Sequence, residues 1–314
     1  MKRRVLLLAS LATLPSAALA QPEKPRRIGF LMPGEANPFV ANVRDDLRRL
    51  GHVEGRTIRI DVRAAVGQQD RLPALAAELV ALDVDVIVAY QTPSVSAAMA
   101  ATRTIPIVMS AGDPVRMGIV ASLARPGGNV TGMSGTSIDL SAKLLSLVRE
   151  ALDARRIGVL ANAGDPFTGP FVEMLEASQG ATGVSLHIER VPAEADYGDT
   201  FAAFKRAGVR AVVVQPSLRA RHAIAQANAQ RLPTASPLET FTAAGGVLAY
   251  GASRRQVERT LARYVDRVLK GAKPADLPVE QPTEYLLNVN LKAAKALGIE
   301  LPLSIITRAD TVIE

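Results

Sequence analysis

Residues 105–132, "IPIVMSAGDPVRMGIVASLARPGGNVTG", set an apolar run against Gly-Asp-Pro and then an amphipathic stretch closed by Pro-Gly-Gly. An apolar run of strand length, turn residues and a stretch of helical period read as one strand-to-helix unit. Asp113 stands at the junction. Its short carboxylate can accept a hydrogen bond from an orphan N–H of the next turn. Pro114 loses nothing at a first helical position, because its missing N–H would have been unpaired anyway. The stretch predicts a helix after Asp113, with Asp113 as its cap.

The same punctuation recurs along the chain. Asn37-Pro38, Thr92-Pro93, Asp113-Pro114, Asp165-Pro166, Gln215-Pro216 and Ser236-Pro237 each follow an apolar run and precede a stretch read as helical. Strands are expected at 27–32, 58–63, 86–89, 106–109 and 129–132, then at 156–161, 185–189, 211–214, 234–235 and 246–250. Amphipathic segments such as 40–50, 70–82, 140–151, 171–179, 200–207 and 219–231 lie between them. Such alternation predicts an α/β fold of parallel sheets with helices on both faces.

Three junctions precede residue 135 and three follow it, so the chain reads as two similar halves. In a parallel sheet every strand-to-helix junction emerges at the carboxyl edge. Two such rims facing each other would form a cleft lined with backbone N–H groups and short polar side chains, suited to an anionic group. Aromatic residues are only 4% of the chain, yet Phe39, Tyr90, Phe167, Phe241 and Tyr250 lie at or beside these junctions. Aromatic walls with a few fixed polar groups suit a small organic ligand. Phe39 and Phe167 also fit a plainer role, packing on the first helical turn.

At 314 residues the chain is long enough for two domains, and 48% hydrophobic with 21% charged residues is ordinary globular composition. The start, "MKRRVLLLASLATLPSAALAQ", has basic residues, a short apolar run and Ala18-Leu19-Ala20. This predicts a secretory leader over residues 1–20, cleaved after Ala20, and hence an exported protein. Pro15 interrupts the apolar run well short of the ~20 residues that span a bilayer. The chain has no Cys to carry a lipid.

The net charge of +7 includes Lys2, Arg3 and Arg4 of the leader, and the remaining charges are scattered in runs such as "RDDLRR" and "RRQVER". These read as solvated helix faces, and nucleic acid is excluded as a partner for want of a basic stripe with aromatics. Catalytic chemistry is hard to find. His52, His187 and His222 are dispersed. "GMSGT" lacks a glycine of the nucleophile elbow, "PGGNVTG" is not a dinucleotide fingerprint, and there is no phosphate loop. Neither enzyme activity, a cofactor nor a metal is expected.

Four stretches carry a resemblance: "RRIGFLMPGEANPFVANVRDDLRRLGHVEGRTIRIDVR", the opening segment with its "GDPV…SLARPGGNVTG", "LAYGASRRQVERTLARYVDRVLKGAKPADLPVEQPTEYLLNVNLKAAKALG" and "ADTVIE". With the leader, they resemble the exported solute-binding proteins of ABC transporters, in the branch whose better-known members bind tryptophan and tyrosine. The resemblance covers the whole mature chain. It implies the type I periplasmic binding fold, two doubly wound lobes that close on a ligand at a hinge. The expected crossings fall near Thr131–Thr136, near Tyr250–Ser253 and after Lys270. Lobe 1 is then 26–133 plus 253–280, and lobe 2 is 134–252 plus 281–314, although the last segment could pack with either.

On that likeness Asn37, Thr92, Asp113, Asp165 and Gln215 are pocket positions, with helix N-termini taking a ligand carboxylate and Asp113 or Asp165 an ammonium. Phe39, Tyr90, Gln91, Ser110, Phe167, Ser236, Glu239 and Tyr250 complete the candidate site. "YQTP" at 90–93 is bulkier than is common in the family, and "TASPLETF" at 234–241 lacks its aromatic-Pro-Ser pattern. Both bear on ligand identity. The resemblance implies a monomer that delivers a small carboxylate-bearing, amino-acid-like or aromatic solute to permease subunits. A sensor of the same fold that signals to a membrane receptor, or an exported α/β enzyme, are the alternative readings.

Overall fold

The computed structural model describes residues 24–135 and 138–314. The expected leader, its cleavage point and Thr136 lie outside the described residues. The first half builds β1 (Arg26–Met32), α1 (Phe39–Arg49), β2 (Ile58–Ala64), α2 (Leu72–Ala81), β3 (Val86–Tyr90), α3 (Thr92–Ala101), β4 (Ile107–Ala111) and β5 (Val130–Ser134). These strands form a parallel sheet in the order β2-β1-β3-β4-β5. Its central strands are apolar along their length because helices cover both faces.

The second half begins with α4 (Ile138–Leu152), β6 (Arg156–Asn162), α5 (Thr168–Ala177), α6 (Gln179–Thr182) and β7 (Ser185–Val191). It continues with α7 (Gly198–Arg206), β8 (Ala211–Val214), α8 (Ala220–Ala229), β9 (Thr234–Ser236) and β10 (Leu248–Ala252). After α9 (Arg254–Leu269) come β11 (Tyr285–Asn290), α10 (Leu291–Ala296), α11 (Leu303–Ile306) and β12 (Thr311–Ile313). This sheet runs β12-β11-β10-β9-β8-β6-β7. The two mostly parallel sheets match the predicted α/β class, with one departure. β11 lies antiparallel to β10, and β12 then extends the sheet from β11. Neither strand was expected from the apolar pattern, although Tyr285–Asn290 is β-prone.

α9 follows β10 in sequence but packs on the first sheet. Val257, Leu261 and Val265 form one apolar stripe, spaced four apart, and meet Val40, Val43 and Leu47 of α1 over Ile28 and Phe30. α2 and α3 cover the opposite face through Leu75, Leu79, Val95 and Ala98. On the second sheet α4 and α5 supply Leu144, Val148, Phe171 and Leu175 to one face. Phe201, Phe204 and Ile224 fill the other. The side-by-side placement of α1 and α9 corrects one reading of the charge runs. Asp46 is not on a solvated face but is buried between the two helices, held by both terminal nitrogens of Arg255 at 2.5 Å.

The chain passes between the sheets after β5, between β10 and α9, and between Glu280 and β11. These passages are bonded to one another. Ser134 N–H donates to the Glu280 carbonyl at 2.8 Å, Glu280 N–H to Gly132 at 2.9 Å, and Ser253 N–H to Glu284 at 2.9 Å. Gly132, at φ 136°, runs so close to β4 that a Cβ would lie 2.1 Å from the Met109 carbonyl oxygen. A Gly132→Ala variant should therefore lose about 3 kcal/mol, the upper end of overpacking penalties. Urea unfolding followed by circular dichroism measures it, and an unchanged midpoint would show that β4 and β5 can move apart freely.

Candidate functional site

The carboxyl edges of the two sheets enclose a cavity of about 110 Å³, room for several waters or one small organic molecule. Tyr90, Gln91 and Thr92 enter it from the end of β3, and Ser110 and Gly112 from β4. The second sheet contributes Asp165 and Phe167 after β6, Gln215 and Ser217 after β8, and Pro237 to Glu239 after β9. Phe171 of α5 and Arg254 and Val257 of α9 complete the wall.

Asp165 is held in place by the backbone around it. One carboxylate oxygen accepts from Phe167 N–H at 2.9 Å and the other from the Gln215 amide at 2.9 Å. Gln215 cannot turn over, because its own oxygen accepts from Asn162 N–H at 2.9 Å, with the Thr168 hydroxyl, shared with the Asn162 carbonyl at 2.5 Å, at 3.0 Å beside it. Both oxygens of Asp165 thus accept, a role that a carboxylate fills. Burial pushes the Asp165 carboxyl above the ordinary aspartate value, opposed by the hydrogen bonds from Ser217, Phe167 and Gln215.

The two halves touch at the cavity and beside it. The Gln69 amide donates to the Ser217 carbonyl at 2.5 Å and accepts from the Asn162 side chain at 2.9 Å. The Gln91 amide donates to the Pro216 carbonyl at 3.3 Å. Gly112 lets the Phe167 ring lie directly on the opposing backbone, since a Cβ there would stand 2.6 Å from the ring.

Arg254 is the cation of the wall. Its Nε donates to Glu258 at 2.9 Å and its guanidinium carbon lies 5.6 Å from the centre of the Phe39 ring. Phe39 in turn packs on Tyr90 with centroids 4.5 Å apart. Glu239 accepts from Arg254 N–H, while Ser253 caps α9 by accepting from Gln256 N–H. Burial also raises the Tyr90 phenol, against the pull of Arg254.

Of the sequence-derived candidates, Tyr90, Gln91, Thr92, Ser110, Asp165, Phe167, Gln215 and Glu239 line this cavity, and the others stand elsewhere. Asn37 is exposed, and α1 begins without a side-chain cap. Phe39 is buried behind Tyr90. Ser236 is buried, donating to the Val214 carbonyl at 2.8 Å, and leads into a short 3-10 turn at Glu239–Phe241 where a helix was expected. Tyr250 packs on Tyr285 with centroids 6.3 Å apart.

Asp113 does accept from Arg116 N–H at 3.1 Å, but no helix follows it: residues 114–118 form a single hydrogen-bonded turn. Gly118 closes that turn, with Ile119 N–H returning to the Pro114 carbonyl and Gly118 N–H to Val115. That is a helix-stop motif placed directly behind the start. Arg254 was missed because its junction is capped by Ser253 with no proline after it, which the X-Pro pattern passes over. Phe171, Ser217 and Val257 carry no sequence signal that separates them from core residues.

The chain belongs to the family described as ABC transporter substrate binding protein, whose model matches residues 36–313. A tyrosine-binding protein of Clostridioides difficile is 26% identical over 257 residues, 80% of this chain and 73% of that protein. A conserved domain protein from Vibrio cholerae superposes with TM-score 0.84 at 27% identity, over 92% of this chain and 100% of that one. A Streptococcus pneumoniae ABC domain in complex with L-Trp superposes with TM-score 0.82 at 24% identity, over the same shares. The fold is that of the type I periplasmic binding proteins.

Gln91 adopts φ 64° and ψ 155°, a region that only glycine occupies without strain. Replacing it by glycine relieves roughly 1–3 kcal/mol of strain. Against this stand the extra chain entropy of glycine, about 0.5–1 kcal/mol, and the loss of the Pro216 hydrogen bond. Gln91→Gly should melt a few degrees higher without ligand in scanning calorimetry. A lower melting temperature would mean that the bond across the cavity outweighs the strain.

Proposed function

We propose that the protein is the exported solute-binding component of an ABC importer and that its cavity takes a small, amine-bearing, amino-acid-like ligand with an aromatic side chain. The observation that carries this reading is the chemistry of the wall. Two carboxylates, Asp165 and Glu239, face the same small space as the rings of Tyr90, Phe167 and Phe171. An ammonium paired with Asp165 relieves the cost of keeping that carboxylate ionised where burial disfavours it. The flat apolar walls then favour an aromatic body. The relatives that bind tyrosine and L-Trp support the same class.

In this reading the ligand faces Tyr90, Gln91, Thr92, Ser110, Asp165, Phe167, Gln215 and Glu239. The hinge is the set of bonded passages at 132–134, 253 and 280–284. The lobes are 26–133 plus 253–280 and 134–252 plus 281–314, and they part by rotation there to admit solute. The closed monomer then docks on the permease subunits.

Export is tested by intact-mass spectrometry of protein recovered from its host, which should find a chain beginning at Gln21. A soluble chain retaining Met1 would defeat it. The ligand class is tested by calorimetric titration with L-tyrosine, L-tryptophan and 3-(4-hydroxyphenyl)propionate, which lacks the amine. Asp165→Asn should weaken L-tyrosine by well over tenfold, since truncating a buried charge pair costs roughly 2–5 kcal/mol. The amine-free acid should lose far less affinity than L-tyrosine in this variant, whose single side-chain oxygen still accepts from Gln215 but not also from Phe167 N–H.

The folded-state value of Asp165 is raised, so acidification should neutralise it and abolish amine binding from a pH above that of an ordinary aspartate. The loss deepens as pH falls through the raised value. Equal affinities in wild type and variant would remove Asp165 from ligand contact.

A further inference from the structure

We infer that Arg254 is the residue that binds the ligand's carboxylate, an inference that rests on the amino-acid-like reading of the cavity. Its guanidinium has two faces of use. Nε is occupied by Glu258 at 2.9 Å. Among the described residues neither terminal nitrogen has a hydrogen-bond partner, and Arg254 lines the cavity. The edge formed by the two terminal nitrogens is a planar, two-pronged donor of the spacing that a carboxylate accepts.

The group is also built to stay where it is. Glu258, whose side chain is 1% exposed, anchors Nε and is itself held by Asn42 at 3.0 Å. The Phe39 ring lies under the guanidinium at 5.6 Å, and Tyr90 packs on that ring. A guanidinium fixed in this way loses little freedom when it binds. At the helix N-terminus that begins beside it, Glu239 and Ser253 already take up the N–H groups of Arg254 and Gln256.

Position matters as much as chemistry. Arg254 belongs to α9, which packs on the first sheet, whereas Asp165 belongs to the second. A ligand with both an ammonium and a carboxylate therefore engages both halves, while one lacking either group engages only one of these charges. The carboxylate, on this assignment, is read by a side chain rather than by helix N-termini alone.

The test is calorimetric titration of wild type, Arg254→Gln and Arg254→Lys with L-tyrosine, L-tryptophan, 3-(4-hydroxyphenyl)propionate and tyramine, the last lacking the carboxylate. Arg254→Gln should bind both amino acids and the propionate at least tenfold more weakly and tyramine within about twofold of wild type. Arg254→Lys, which keeps the charge but not the two-pronged edge, should fall between. Glu258 keeps Asn42 and Arg255 in both variants, and melting without ligand checks that each is folded. Should Arg254→Gln not fold, Arg254→Lys carries the comparison. Equal amino-acid affinities, or a parallel loss of tyramine, would overturn the assignment while leaving the ligand class intact. Failure of wild type to bind any of the four compounds would overturn the ligand class and this assignment with it.

Discussion

The side-chain amide of Gln215 accepts from Asn162 N–H, shares the Thr168 hydroxyl with the Asn162 carbonyl and donates to Asp165, all at or below 3.0 Å in an almost fully buried position. These bonds tie the ends of β6 and β8 to the start of α5, and the geometry of the cavity wall follows from them. With its oxygen committed, the amide can offer only its N–H₂ group to residue 165. An acceptor is thereby required there, and the Asp165 carboxylate supplies it while its other oxygen accepts from Phe167 N–H. Buried polar networks of this kind are costly when one member is unmatched, so they specify a single arrangement. Asn162 extends the same network to Gln69 on the other half and to Ser217.

The contacts across the cavity are few and each is local to a loop. Gln69 and Gln91 reach backbone carbonyls of residues 216 and 217, and Phe167 lies on the bare backbone of Gly112. All of them are single hydrogen bonds or one ring contact. The apolar cores, by contrast, are separate for each sheet, with α9 delivered to the first sheet by a chain that has just left the second. The short bonded passages at 132–134, 253 and 280–284 are the covalent links between those cores.

Charge in and behind the cavity is arranged in layers. Asp165 and Glu239 face the space, Arg254 faces it from the other half, and behind Arg254 the partly exposed Arg255 bridges the buried carboxylates of Glu258 and Asp46. Asp46 holds the Arg255 guanidinium charged more firmly than usual. The cluster fixes α1 against α9 and so fixes Phe39 under Arg254. A run of charges that looks solvated in sequence thus supports an aromatic wall two layers away.

The alternation of apolar runs with amphipathic stretches determines the α/β class and the number of junctions, because both are properties of local periodicity and of residues that cap or break a helix. Asp113 and Asp165 are alike at that level: each is an aspartate before a proline at the end of a strand. Asp113 finishes in a single capped turn stopped by Gly118, while Asp165 meets the Gln215 amide fifty residues away. Which of them turns to the cavity depends on contacts distant in sequence, and no local rule contains them. β11 was overlooked for the same reason, since its antiparallel pairing with β10 is made only after α9 has visited the other sheet. Arg254 sits in an ordinary charged helix start, and only the packing of α1 and α9 brings it to the cavity wall. Local chemistry determined the elements and their ends. Tertiary packing decided which side chains share the cavity, because burial and hydrogen-bond matching act between residues that the sequence keeps far apart.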